Sequence, residues 1–147
     1  MKSFLLKDNI PIIKWGLLSN GTYFNGTIPE GYALAVCPSG NIVILDVDVK
    51  SGKNGFVHIS NEILEELFQT FNYKTKSGGS HFWITYTGDK ELMNRATKLG
   101  LDLRIGAKDN NAGGYVKYNH DVDIRKCTHL IKESSKELNT WLEKLFS

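Results

Sequence analysis

Apolar residues fall in short runs along the chain, and their spacing changes from one run to the next. Tyr32 to Val36 and Ile42 to Leu45 are nearly continuous apolar runs, the pattern of buried strands. Pro38-Ser39-Gly40 between them is a turn signal, so the two runs are expected to form a hairpin. Ile63, Leu64, Leu67, Phe68 and Phe71 recur at helical spacing, with Ser60 placed to cap that helix. Tyr73 to Lys76 predicts a strand, Ser77-Gly78-Gly79-Ser80 a sharp break, and residues 81 to 86 the next strand, because aromatic and β-branched side chains suit a pleated surface. Asp89 to Leu99 predicts a short helix that stops at Gly100. Leu101 to Ile105 and Gly114 to Tyr118 predict strands joined by a polar, mobile loop, Gly106 to Gly113. Ser134 and Glu137 have capping-box spacing ahead of Leu138, Trp141, Leu142 and Leu145, the apolar face of a final helix. Residues 1 to 30, rich in Gly, Asn and Pro, predict irregular wrapping with room for one short strand or turn.

These elements describe an α+β fold: a mostly antiparallel mixed sheet with helices packed on it. No repeat or low-complexity linker interrupts the 147 residues, so residues 1–147 are expected to be one domain. With 41% hydrophobic and 23% charged residues, the composition is globular and argues against a disordered chain. A net charge of +2 is too small to announce a nucleic-acid binder, so any such surface must be local. Cys37 and Cys127 lie far apart in sequence, outside any Cys/His cluster. A zinc site is therefore not expected and a reducing compartment is. The opening residues have no signal-peptide core and no apolar stretch long enough to span a bilayer, which leads to an expectation of a cytoplasmic protein.

Three places in the sequence carry chemistry. Asp46-Val47-Asp48 ends the most apolar strand, and alternation puts both carboxylates on one face with Val47 toward the core. Paired carboxylates repel unless a cation intervenes, and hard divalent ions prefer such oxygen ligands. A strand ending in solvated acids has the same local pattern. Ser77-Gly78-Gly79-Ser80-His81 joins two strands. Its amides could cradle an anion and His81 could donate to a phosphate, although a plain hairpin with an exposed histidine also fits. In Asp102-Leu103-Arg104 the acid and the base share one face, as a metal ligand beside a phosphate-binding fork or as an ordinary surface ion pair. Lys50, Lys53, Lys74 and Lys76 flank these segments and form a candidate rim for template phosphates. Trp15, Trp83 and Tyr115 are candidates for stacking on bases, with core packing favoured for Trp83. His58, His120 and His129 have no ligand-like spacing and read as surface or structural residues.

The order of the three motifs resembles the archaeo-eukaryotic primase superfamily. The chain is most similar to its primase–polymerase branch, the N-terminal domain of bifunctional DNA primase/polymerases of phages and plasmids. The resemblance rests on Ile44-Leu45-Asp46-Val47-Asp48, Ser77-Gly78-Gly79-Ser80-His81, Leu101-Asp102-Leu103-Arg104 and Gly113-Gly114-Tyr115-Val116, and spans roughly residues 30 to 119. Two features depart from the branch: Lys117-Tyr118-Asn119 stands where a small, proline-containing stretch is usual, and Ile105 to Ala112 is longer.

The resemblance implies an RRM-like catalytic core and template-dependent nucleotidyl transfer in replication of a phage, plasmid or related mobile element. It implies Mg²⁺ or Mn²⁺ held by Asp46, Asp48 and Asp102 for two-metal catalysis. It further implies a nucleoside triphosphate, dNTP or NTP, bound by His81, Ser77, Gly78, Gly79, Ser80 and Arg104. DNA template and primer would be partners, together with a replicative helicase. The main rival is a replication module that binds nucleotide or DNA with little catalysis of its own. A nicking initiator would need paired histidines and a nucleophilic tyrosine. A sugar-nucleotide transferase would need a different strand order.

Overall fold

The structure is a computed structural model and describes residues 1–108 and 113–147. The chain opens with β1 (Lys2–Lys7), β2 (Ile10–Pro11), β3 (Tyr32–Cys37) and β4 (Ile42–Val47). A small ribbon, β5 (Val49–Lys50) and β6 (Lys53–Asn54), leads to helix α1 (Asn61–Leu67), β7 (Asn72–Lys74) and β8 (Ser80–Thr85). Then come β9 (Arg95–Ala96), β10 (Leu101–Ile105), β11 (Val116–Lys117), a single helical turn α2 (Ile124–Cys127), β12 (Lys132–Glu133) and helix α3 (Lys136–Phe146). The fold is α+β with mostly antiparallel sheets, as expected.

The larger sheet runs β12-β8-β4-β10-β9, with β7 on the first half of β8; β12 pairs parallel with β8 and the other pairings are antiparallel. Side-chain alternation gives it two different faces. Val43, Leu45, Val47, Phe82, Ile84, Leu101, Leu103 and Ile105 pack with Ile63 and Leu67 of α1 and Leu138, Leu142 and Phe146 of α3. On the opposite face, Ile44 and Trp83 pack with Val36 of the second sheet, whose strand order is β11-β3-β1-β2. Only part of that face is covered by the second sheet. The remainder carries the polar residues described below.

Several local expectations differ from the structure. The runs around Pro38-Ser39-Gly40 do not form a hairpin: β3 pairs with β1 and β11, while β4 pairs with β8 and β10. Strand β4 is buried on both faces, so it needs a ladder partner on each edge, and those partners are distant in sequence. The first residues are not irregular. β1 lies at the centre of its sheet with Phe4, Leu5 and Leu6 buried, and Asp8 and Asn9, at φ 52° and 62°, make the tight turn to β2. Residues 89 to 99 are not helical. Leu92 is buried there but Met93 and Leu99 are exposed, and the backbone groups find other partners: Met93 N–H donates to the Phe146 carbonyl, and the Lys90 carbonyl accepts from the Tyr86 hydroxyl. Finally, the cap of α3 is Ser135, whose hydroxyl accepts from Leu138 N–H at 3.1 Å, whereas Ser134 accepts from Thr87 N–H. The Ser60 cap on α1 is as expected, accepting from Ile63 N–H. The strand expected over residues 114 to 118 is limited to β11, and residues 109–112 of the expected mobile loop lie outside the described residues.

Candidate metal and nucleotide site

Register builds the site. In the β4–β8 ladder Asp46 stands directly opposite His81, and in the β4–β10 ladder Asp46 stands directly opposite Asp102. Directly opposed residues point to the same face, so one row across three adjacent strands reads His81, Asp46, Asp102. The row extends to Tyr73, which faces His81 from β7. The core-facing neighbours in sequence, Leu45, Val47, Phe82, Leu101 and Leu103, are buried on the other side of the sheet and hold the row in place.

Asp48 joins the row from just beyond β4. Its N–H donates to the Gly100 carbonyl at 2.8 Å, and its carbonyl accepts from Gly55 N–H at 2.9 Å. The backbones meet so closely there that a Cβ on Gly55 would lie 2.2 Å from the Gly100 oxygen. A second close approach sets the glycine turn against the end of β4: a Cβ on Gly79 would lie 2.0 Å from the Val47 carbonyl.

One carboxylate oxygen from each of Asp46, Asp48 and Asp102 lies within 4.8 Å of the others. Each acid has a basic side chain within 4.0 Å. His81 Nε2 is 3.3 Å from Asp46 Oδ1, an Arg104 guanidinium nitrogen is 3.6 Å from Asp102 Oδ2, and Lys50 Nζ is 4.0 Å from Asp48 Oδ2. Asp102 Oδ1 also accepts from Thr97 N–H. Burial pushes the Asp48 carboxyl above its ordinary range; repulsion from Asp46 and Asp102 adds to the rise, and Lys50 opposes it. Three converging carboxylates are the donor set of a hard divalent cation. Asp46, Asp48 and Asp102 could together hold such an ion.

Asp46 and Asp48 open into a cavity of about 710 Å³, whose lining does not include Asp102. Asp46, Asp48, His81 and Arg104 line it together with Lys50, Lys74, Lys76 and Ser77. Gly78, Gly79 and Ser80 do not line it; Ser80 is buried and Gly79 backs onto β4. Lys53 is exposed on β6, away from the lining. Trp83 is wholly buried, and Trp15 stacks on Phe4 with Tyr115 edge-on to both. Of the three stacking candidates, Tyr115 reaches the cavity wall. A second depression, about 670 Å³ between α1 and α3, includes Glu62, Glu65 and Glu66. Glu66 there accepts from the Ser135 N–H and hydroxyl, a structural task.

The cavity also contains residues to which the sequence assigned no role in the site: Tyr73, Lys117, Asn119 and His120. The His120 ring lies 4.0 Å from that of Tyr73, and burial lowers its pKa, with His81 adding to the fall. No local pattern marks these residues. Tyr73 could have been found only from its register opposite His81.

The family model for the bifunctional DNA primase/polymerase N-terminal domain matches residues 19–131, well over half of the chain. Compared with curated proteins, the chain finds no match. The matched span holds Asp46, Asp48, His81, Asp102 and Arg104. Such a domain implies nucleotidyl transfer of the primase/polymerase type on DNA and nucleotide substrates, typically with a divalent metal. The chain belongs to the bifunctional DNA primase/polymerase N-terminal domain family.

Proposed function

We propose that residues 1–147 act as one catalytic domain that adds nucleotides to a primer on a DNA template. The observation that carries this reading is the cross-strand row of His81, Asp46 and Asp102, completed by Asp48, with Asp46, Asp48 and His81 lining one cavity. Asp46, Asp48 and Asp102 hold Mg²⁺ or Mn²⁺, as one ion or a pair. When bound, the metal supplies charge neutralisation for the phosphates and makes the primer hydroxyl a better nucleophile.

The chain's own residues bind and orient. His81 and Arg104 donate hydrogen bonds to the triphosphate of a dNTP or NTP, and the turn Ser77-Gly78-Gly79-Ser80 shapes that end of the pocket, with the Ser77 hydroxyl facing the nucleotide. Arg104 offers a planar fork suited to phosphate oxygens. Lys50, Lys74 and Lys76, with Lys53 farther out, hold template and primer phosphates. The primer 3′-oxygen forms a bond to the α-phosphorus as the bond to the bridging oxygen breaks. Pyrophosphate leaves, and the hydroxyl proton passes to solvent. Fixed placement and charge neutralisation account for most of the rate in such transfers. In this reading the protein serves replication of a phage, plasmid or related mobile element, beside a replicative helicase.

Extension of a labelled primer–template with Mg²⁺ or Mn²⁺ tests the reading. The wild type is expected to extend and the Asp46→Ala, Asp48→Ala double variant to fail. Binding of nucleotide and DNA by folded wild type, without extension under either metal, would favour a binding module over an enzyme.

A further inference from the structure

The row of residues across the sheet does not end at His81, and what lies behind that histidine decides which of its nitrogens carries a proton. Tyr73 faces His81 in the β7–β8 ladder. Its hydroxyl oxygen is 2.9 Å from His81 Nδ1 and 3.1 Å from Trp83 Nε1. An indole nitrogen can only donate. Trp83 therefore occupies a lone pair of the Tyr73 oxygen, and among the described residues Nδ1 is the acceptor at hydrogen-bond distance for the phenolic hydrogen. Burial holds the Tyr73 phenol far above its ordinary pKa, so that hydrogen is present across the working pH range.

Nδ1 of a neutral imidazole that accepts a hydrogen bond is unprotonated, and the ring hydrogen then sits on Nε2. Nε2 is the nitrogen that faces the site, 3.3 Å from Asp46 Oδ1. The donor chain runs in one direction, from Trp83 N–H to Tyr73 O–H to His81 Nδ1, and leaves the His81 hydrogen on the nitrogen that faces the site. The phenol cannot easily turn away. Its ring is held edge-on by His81 and Tyr118, tilted against Phe71, and covered by His120 at 4.0 Å.

We propose that Tyr73, anchored by Trp83, is a positioning residue that locks His81 in the Nε2–H tautomer and so presents a fixed hydrogen-bond donor to the cavity. That the donor serves a nucleotide phosphate rests on the function proposed above; the lock itself does not. Tyr73 touches no substrate in this account and acts through His81 alone. A donor held from behind meets an anionic oxygen without first reorienting, and partners of this kind commonly matter tenfold or more.

The test is nitrogen-15 NMR of the histidine rings in the full chain, without metal or nucleotide, in alkaline buffer where imidazoles are neutral. In the wild type, His81 is expected to show protonated Nε2 and bare Nδ1. A His81 ring protonated on Nδ1, or an even mixture, would overturn the proposal without any variant being made. In Tyr73→Phe the preference is expected to relax toward a mixture and the Trp83 indole N–H resonance to move; an unchanged His81 tautomer in the folded variant would also overturn it. In steady-state extension, Tyr73→Phe is expected to raise the nucleotide KM about tenfold while kcat changes much less. A locked tautomer in a wild type that extends no primer would leave the lock standing and defeat the polymerase reading instead.

Discussion

The Asp48 carboxyl is held above its ordinary range. Burial, and then Asp46, push its pKa up, so the folded state binds its proton more tightly than the unfolded chain does. The sign follows: the ionised form opposes folding, and metal-free stability falls as pH rises through the interval between the ordinary carboxylate value and the raised one. At neutral pH Asp48→Asn is therefore expected to melt higher than the metal-free wild type. Metal reverses the order. A free ion at ten times its dissociation constant adds about 1.4 kcal/mol to a state that binds it, and the asparagine variant should lose most of that gain. Thermal melts of both proteins with and without Mg²⁺ check this, and a wild type indifferent to Mg²⁺ and Mn²⁺ would contradict it. Mg²⁺ affinity should also weaken as pH falls toward the raised pKa of Asp48, because protons compete for the ligand oxygen.

Among the elements, the turn between β7 and β8 tests the packing account. Gly79 lies so close to the Val47 carbonyl that a methyl group has no room, and the opposing atom is backbone at the end of the strand carrying Asp46. Gly79→Ala is expected to cost about 1–3 kcal/mol of stability by overpacking, read as a lower denaturation midpoint. Gly78→Ala adds no comparable clash, although its φ of 96° brings some strain. Equal losses from the two would contradict the packing account. The strands that carry chemistry were legible in the sequence because their pattern is local. Leu101-Asp102-Leu103-Arg104-Ile105 alternates buried and partly exposed as read, and Asp46 and Asp48 flank a wholly buried Val47. What local pattern could not carry was pairing. Nothing in Tyr32 to Leu45 says that β3 and β4 separate into different sheets, and nothing near Tyr73 says that it faces His81. The helix expected over residues 89 to 99 failed for a related reason: its charged and amide residues have helical propensity, but only Leu92 has a core to enter.

The whole molecule has a net charge of +2, and only a minority of its cationic residues stand beside the acids. Lys50, Lys74, Lys76 and Arg104 share the cavity with Asp46 and Asp48, so DNA affinity should depend on salt through a few phosphates and not through a broad basic face. Replacing Lys50, Lys74 and Lys76 with alanine is expected to flatten the plot of log affinity against log salt by about 0.9 for each duplex phosphate that the variant no longer neutralises. Fluorescence anisotropy at several salt concentrations reads the slope, and an unchanged slope would place the DNA path elsewhere. The family match covers residues 19–131, yet β1 and α3, outside it, complete the two sheets and their cores: β1 is a central strand, and Leu138, Leu142 and Phe146 are buried under the larger sheet. The site therefore depends on packing from segments that contribute no ligand to it. The central claim is templated nucleotide addition by this row of residues. It is tested most directly by single-nucleotide extension on four primer–templates that differ only in the templating base, with wild type and Asp102→Asn side by side. The account predicts addition of the complementary nucleotide on each template by the wild type and none by the variant; addition that ignores the template, or that survives loss of Asp102, would contradict it.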